Sequence, residues 1–264
     1  MTTIKAKKSL GQNFLSSDKI LGQILTAGKL NSADTVLEIG PGPGDLTNKL
    51  LGTTEKVIAV EKDDRLISIL EQRFSKEIVA EKFQLIHADV LEFEPKEYGL
   101  KDYKLIANIP YYLTGAILRK FLETENKPRL IVLTLQKEVV LRIIAEKGSI
   151  LGMSIRAFGQ PSRIGNISKS YFKPVPKVDS AILLIDEISN KFFEKEPKIR
   201  EEAFFKILKS GFKQKRKKLI SNLKDLAQKE KLIEIFKSCG LQENIRAEEL
   251  SLEDWRKITQ ALGD

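Results

Sequence analysis

The sequence predicts an α/β fold: a mainly parallel sheet with helices on both faces, followed by a small all-helical C-terminal domain. Three observations carry this reading. Short β-branched runs alternate with amphipathic segments from Val36 to Leu135, the rhythm of βαβ units. Apolar runs punctuated by Gly and Pro follow between Gly148 and Glu187 and read as antiparallel strands that end the sheet. Beyond Glu187 the turn formers thin out and apolar residues recur at helical spacing. The expected domains are residues 1–187 and 188–264.

Each element has its own signal. Ser17 or Asp18 can cap a first helix that buries Ile20, Ile24 and Leu25. Five strands are predicted from Val36–Ile39, Val57–Val60, Phe83–Ile86, Leu105–Ala107 and Leu130–Leu135. Between them, Leu66, Ile69, Leu70 and Phe74 share one helical face, and 113–122 and 137–146 read as helices too. Met153–Phe158, Ile164–Ile167 and Ala181–Ile185 are the expected antiparallel strands. In the last domain, Ala203, Phe204, Ile207 and Leu208, then Leu219, Ile220 and Leu223, then Leu232, Ile235 and Phe236 mark about five short helices.

Composition narrows the function. Of 264 residues 42% are hydrophobic, which excludes disorder for most of the chain. Forty-five Lys and Arg against 36 Asp and Glu leave a net charge of +9, which suits a polyanion such as nucleic acid. The single cysteine, Cys239, forms no internal disulfide, no Cys/His spacing fits zinc, and the one histidine, His87, rules out histidine-rich catalysis. A reduced, cytoplasmic protein without a metal, signal peptide or membrane span is expected.

The segment Glu38-Ile39-Gly40-Pro41-Gly42-Pro43-Gly44-Asp45 is a glycine-rich turn directly after the first strand of the alternating region. A ligand is expected to approach the backbone at Gly40 and Gly42. Pro41 and Pro43 lack N–H groups, so this loop is a poor phosphate cradle. Glu61 ends the next strand at a spacing suited to a ribose hydroxyl pair, and Asp89 follows the third at the same sheet edge. Together they describe an adenosine-bearing cofactor without phosphates, of which S-adenosylmethionine is the obvious example. His87 reads as structural, without a partner acid.

Asn108-Ile109-Pro110-Tyr111 closes the fourth strand and suits methylation of an exocyclic amine. The lone pair of adenine N6 is delocalised into the ring, so attack improves when acceptors hold its N–H groups and favour a tetrahedral nitrogen. The Asn108 side-chain carbonyl and the Ile109 backbone carbonyl are the two candidate acceptors. Tyr111 can stack on the base, and Pro110 fixes the turn. Cys239, far along in the helical region, argues against nucleophilic attack on pyrimidine carbon.

Gln12-Asn13-Phe14-Leu15, Glu38 to Gly44, Asn108 to Tyr111, Gln136-Lys137-Glu138 and Phe172 to Ser180 together resemble the rRNA adenine N6,N6-dimethyltransferases. Phe212 to Lys218 and Arg246 to Ser251 are similar to the small-subunit enzymes of the KsgA type within that family. The resemblance implies a Rossmann-like S-adenosylmethionine-dependent methyltransferase sheet. It implies that Asn13, Leu15, Gly40, Glu61, Asp89 and Asn108 line the cofactor pocket, with Glu61 on the ribose and Asp89 on the adenine amine. It also implies a flipped adenosine held between Tyr111 and Phe172. Two methyls on each of two adjacent adenosines near the 3′ end of 16S rRNA are the implied product, and a pre-assembled small ribosomal subunit the implied partner. A monomer is expected.

The RNA surface is read from charge. Arg156 to Lys177 holds five basic residues and no acidic one, interleaved with Phe158, Tyr171 and Phe172. Lys213, Lys215, Arg216, Lys217 and Lys218 form a second run, and Lys5, Lys7 and Lys8 a third. Three alternatives stand at this point: a large-subunit (23S) adenine methyltransferase of the macrolide-resistance type, a ribosome assembly factor without essential catalysis, and a nicotinamide-dependent oxidoreductase, which the G-x-G-x-G spacing disfavours.

Overall fold

A computed structural model describes residues 6, 7 and 10–263. The expected contributions of Lys5 and Lys8 lie outside the described residues. The strands are β1 (Phe14–Leu15), β2 (Thr35–Ile39), β3 (Lys56–Glu61), β4 (Phe83–His87), β5 (Tyr103–Ala107), β6 (Leu130–Gln136), β7 (Gln160–Ile167), β8 (Phe172–Lys173) and β9 (Ser180–Asp186). Seven of them form one sheet in the order β4-β3-β2-β5-β6-β9-β7. The pairs β2–β3, β3–β4, β2–β5 and β5–β6 are parallel, while β9 runs antiparallel to both β6 and β7. All five residues of β5 and six of seven in β6 are buried, which is why they read as continuous apolar runs rather than alternating ones.

Chain order reverses between β2 and β5. Right-handed crossovers then put the helices of the two halves on opposite faces and leave a crevice beyond the strand ends. The register makes those ends level: Ile39 pairs with Val60 and with Ala107, and Glu61 with His87. Gly40, Glu61, Asp89 and Asn108 therefore emerge along one sheet edge.

The helices Asp18–Ala27, Asp64–Arg73, Thr114–Leu122 and Lys137–Ile144 form where periodicity placed them. Ser17 occupies the N-cap of the first without a side-chain cap, and Leu25 is only partly buried there. The helix Asp45–Leu51 is too short for its periodicity to have been readable. Met153–Phe158 is not a strand. Its alternating Met153, Ile155 and Ala157 suggest one, yet the chain forms the helix Ile150–Arg156, begun by Ser149, whose Oγ accepts the Gly152 N–H at 3.0 Å. The two-residue strands β1 and β8, which pair antiparallel, had no sequence signal.

The chain divides into two units: one holds the chain up to Leu141 together with Gln160–Ile188, the other Arg142–Gly159 together with Ser189 onward. In the second unit, five α-helices follow residue 188 among the described residues: Lys191–Glu194, Glu201–Gly211, Leu219–Asn222, Lys229–Ser238 and Leu252–Leu262. Phe158 joins Phe193 and Phe205 there at ring-centroid distances of 5.3 and 5.8 Å, so the 142–159 segment shares the helical core. Gly211 is required at the crossing with the last helix, because a Cβ would sit 2.3 Å from the Trp255 ring.

Candidate active site

The crevice at the C-terminal strand ends is a cleft lined by Asn13, Leu15, Gly40, Gly42, Glu61, Asp89, Asn108, Ile109, Pro110 and Tyr111 among others. Ten of the residues singled out from sequence are thus brought together from five separate segments.

The three glycines after β2 answer three different demands. Gly40, Gly42 and Gly44 all have positive φ, at 63°, 59° and 90°. A Cβ on Gly44 would collide with the Phe74 ring at 2.5 Å, and one on Gly42 would press on Phe14 at 3.0 Å. At Gly40 it would meet nothing within 4 Å, so the space in front of this backbone is free for a ligand. Arg73 pins the loop from outside, with Nη1 donating to the Pro43 carbonyl at 2.5 Å and to Asp45 at 3.0 Å.

Glu61 is 6% exposed and ends β3 facing the glycine turn. Its Oε1 accepts the N–H groups of Lys62 and Asp63, each at 2.8 Å, and its Oε2 that of Gly42 at 3.3 Å. Burial pushes the Glu61 carboxyl up, against the pull of these donors. Asp89 is more open. Its Oδ2 accepts from Lys62 Nζ at 2.6 Å and its Oδ1 from the Leu91 N–H at 2.9 Å; the Lys62 ammonium holds this carboxyl low.

Glu38, quoted in the motif but given no role, also lines the cleft. It is 1% exposed, its carboxyl accepts from Thr47 Oγ1 at 2.7 Å, and burial pushes that carboxyl to about 8. His87, read as lacking a partner acid, has Asp64 at 2.8 Å from its Nε2.

At the end of β5 the Asn108 amide Nδ2 donates to the Asn13 carbonyl at 3.0 Å. A carbonyl accepts only from the NH₂ side, so this bond orients the amide and leaves Oδ1 as the free acceptor. Pro110 leads into a single 3₁₀ turn, Tyr111–Leu113, closed by Thr114 Oγ1 donating to the Tyr111 carbonyl at 2.9 Å. The half-buried Tyr111 is held by a 2.7 Å hydrogen bond between its hydroxyl and Ser180 Oγ on β9, and burial pushes its phenol up. Ser180 appeared in a quoted motif without a role; the 69 residues separating it from Tyr111 left no local signal.

Phe172 is not brought into the cleft. It is 1% exposed and packs in the hydrophobic core, its backbone paired with Leu15. The basic residues Lys213, Lys215, Arg216, Lys217 and Lys218 lie in the other unit, on an exposed loop between the helices Glu201–Gly211 and Leu219–Asn222. Lys213 pairs with Asp225 at 3.3 Å, and buried Asn222 ties the loop down by donating to the carbonyls of Gly211 and Gln214 at 2.6 and 3.1 Å.

Comparison with known proteins agrees with this geometry. The family described as "Ribosomal RNA adenine dimethylase" matches residues 3–264. A protein of Dehalococcoides mccartyi (strain CBDB1) named "Ribosomal RNA small subunit methyltransferase A" is 41% identical over 262 residues, covering 97% of this chain and 88% of its own. One of the same name from Fusobacterium nucleatum is 37% identical, covering 96% of each. The crystal structure of a dimethyladenosine transferase from Plasmodium falciparum superposes with a TM-score of 0.78 at 26% identity, covering 93% of this chain and 95% of its own. The chain belongs to the ribosomal RNA adenine dimethylase family.

Proposed function

We propose that the protein transfers methyl groups from S-adenosylmethionine to N6 of adenosines in small-subunit (16S) rRNA, two to each of two adjacent adenosines near the 3′ end. The observation that carries this reading is the cleft-lining Asn108, whose amide nitrogen donates to the Asn13 carbonyl and so sets which end of the amide is the acceptor. The small-subunit names of the two bacterial relatives favour this RNA over that of the large subunit.

The cleft fits the cofactor. Open space at Gly40 admits an adenosine edge against the backbone, Glu61 offers a buried acceptor for ribose hydroxyls, and Asp89 an acceptor for the adenine amine. Asn13 and Leu15 complete the wall. Once bound, the cofactor supplies a methyl group on a sulfonium, which makes further activation by a metal or a covalent enzyme intermediate unnecessary.

The chain's part is to position and polarise the amine. Asn108 Oδ1 and the Ile109 carbonyl accept from the two N6–H groups and draw electron density back onto nitrogen. Tyr111, its hydroxyl fixed by Ser180, offers a ring held in place for stacking on the flipped base; each such contact returns about 1–3 kcal/mol against an unstacking cost of a few kcal/mol. Phe172 joins as a second ring only if the β1–β8 pairing opens and releases it from the core. Lys213, Lys215, Arg216, Lys217 and Lys218 contact RNA phosphates as the second unit docks on the small subunit.

The test is methyl transfer from labelled S-adenosylmethionine to unmethylated small subunits, large subunits and free rRNA, with mass mapping of modified nucleosides. Dimethyladenosine confined to the small subunit is expected. Label in the large subunit overturns the substrate assignment, and absence of transfer despite cofactor binding leaves an assembly factor.

A further inference from the structure

The segment Leu10–Leu15 crosses one side of the cleft and contributes every one of its residues to the lining. One end is anchored by Leu15, buried in the core and paired with Phe172. The other is held by a side-chain cluster outside the cofactor-binding residues assigned above. Gln12 Nε2 donates to Asp63 Oδ2 at 2.8 Å, and Gln12 Oε1 accepts the Lys7 N–H at 2.7 Å. Lys7 Nζ reaches Asp63 Oδ1 at 3.3 Å. The Asp63 side chain is fully buried and also accepts from Arg65 Nε at 2.9 Å and Nη2 at 2.5 Å.

Between these anchors lies Asn13, whose carbonyl accepts the Asn108 amide. Phe14 beside it covers Gly42. On the other side of the latch, the Asp63 N–H donates to Glu61, so the same short loop carries the acid set against the ribose and the acid that holds the strap. A strap that swings away takes the Asn13 carbonyl with it and frees the Asn108 amide to rotate.

We propose that Gln12 and Asp63 are positioning residues for methyl transfer: their hydrogen bond latches Leu10–Leu15 over the cleft, retains the cofactor and fixes the Asn108 acceptor toward the target amine. This rests on the function proposed above. It adds that closure of the strap and competence of the catalytic amide are one event, because a single backbone carbonyl serves both.

Gln12 is half-buried and is not part of the hydrophobic core, so Gln12→Ala spares the fold. Loss of one hydrogen bond to a charged acceptor sets an expected change of about tenfold. In Gln12→Ala, kcat falls and the cofactor dissociation rate rises by about that factor, with KM for small subunits and the melting temperature close to wild type. Asp63→Asn moves the same two quantities, and the double variant is no worse than the weaker single one, as expected for partners in one contact. Unchanged kcat and dissociation rate in Gln12→Ala overturn the latch, and so do fully additive effects in the double variant. A wild-type protein that methylates no RNA disproves the function instead, while an unlatched strap still shows in the dissociation rate.

Discussion

Asp34 at one edge of the central sheet and Glu38 and Glu61 at the other are buried in opposite ways. At the N-terminal edge, Asp34 is 1% exposed and fully compensated: Lys104 Nζ lies at 2.8 Å, Arg129 contacts its other oxygen, and the Asn31 N–H donates at 2.8 Å. Despite its burial, these partners hold the Asp34 carboxyl below its ordinary value. At the C-terminal edge, Glu38 and Glu61 are also buried but receive, among the described residues, a hydroxyl and backbone N–H groups, and burial pushes both carboxyls up. Asp34, like Asp63 with Lys7 and Arg65 at the cleft end, has its charge balanced by cations. The Glu38 and Glu61 carboxyls, without a cation among the described residues, line the cleft that receives a ligand.

The comparison is broken most severely at the balanced edge. Lys104→Met leaves the buried Asp34 with Arg129 as its remaining cation, and losing one partner of such a buried pair costs up to about 3–5 kcal/mol. Urea denaturation is expected to show that loss while the folded fraction binds S-adenosylmethionine as wild type does. A fall in intrinsic cofactor affinity contradicts the division between the edges.

At the other edge, Glu61→Gln keeps size and shape but gives up a charged acceptor. Cofactor affinity is expected to drop about 10- to 100-fold, with a smaller loss of stability than Lys104→Met. Calorimetric titration reads this directly, and unchanged affinity removes Glu61 from the site.

The smallest effect concerns pH. Glu38 is held protonated up to about 8 in the fold, against 4.5 for the free group. Between those values the unfolded chain binds fewer protons than the folded one, so stability declines as pH rises through the window and levels off above it. Glu38→Gln removes the titrating group. Its stability relative to wild type should therefore climb from pH 5 to pH 8, by a few kcal/mol at the most; a pH-independent difference shows that Glu38 ionises normally.

What the sequence made legible follows from locality. Gly40, Glu61, Asp89 and Asn108 each stand at the end of a predicted strand, and a parallel sheet lines up such ends without further information. Their partners were out of reach. Ser180 meets Tyr111 from an antiparallel strand 69 residues on, and Arg73 reaches Pro43 across 30 residues of chain. Met153–Phe158 was misread because a two-turn helix has too few residues to separate a period of 3.6 from alternation. Phe172 was expected to face a base on resemblance alone, and only the β1–β8 pairing shows it in the core. That residues 142–159 join the helical unit was equally invisible, since the contacts of Phe158 with Phe193 and Phe205 are tertiary.

The chemistry converges on one amide, and its removal is the most direct test. Asn108→Ala should be assayed in a single turnover on small subunits, with cofactor affinity measured on the same preparation. We expect methyl transfer to fall about 100-fold or more, the cost of deleting one preorganised polar contact in a transition state, with affinity for S-adenosylmethionine changed by no more than a few fold. Transfer at the wild-type rate would contradict the assignment of Asn108 as the acceptor for the target amine.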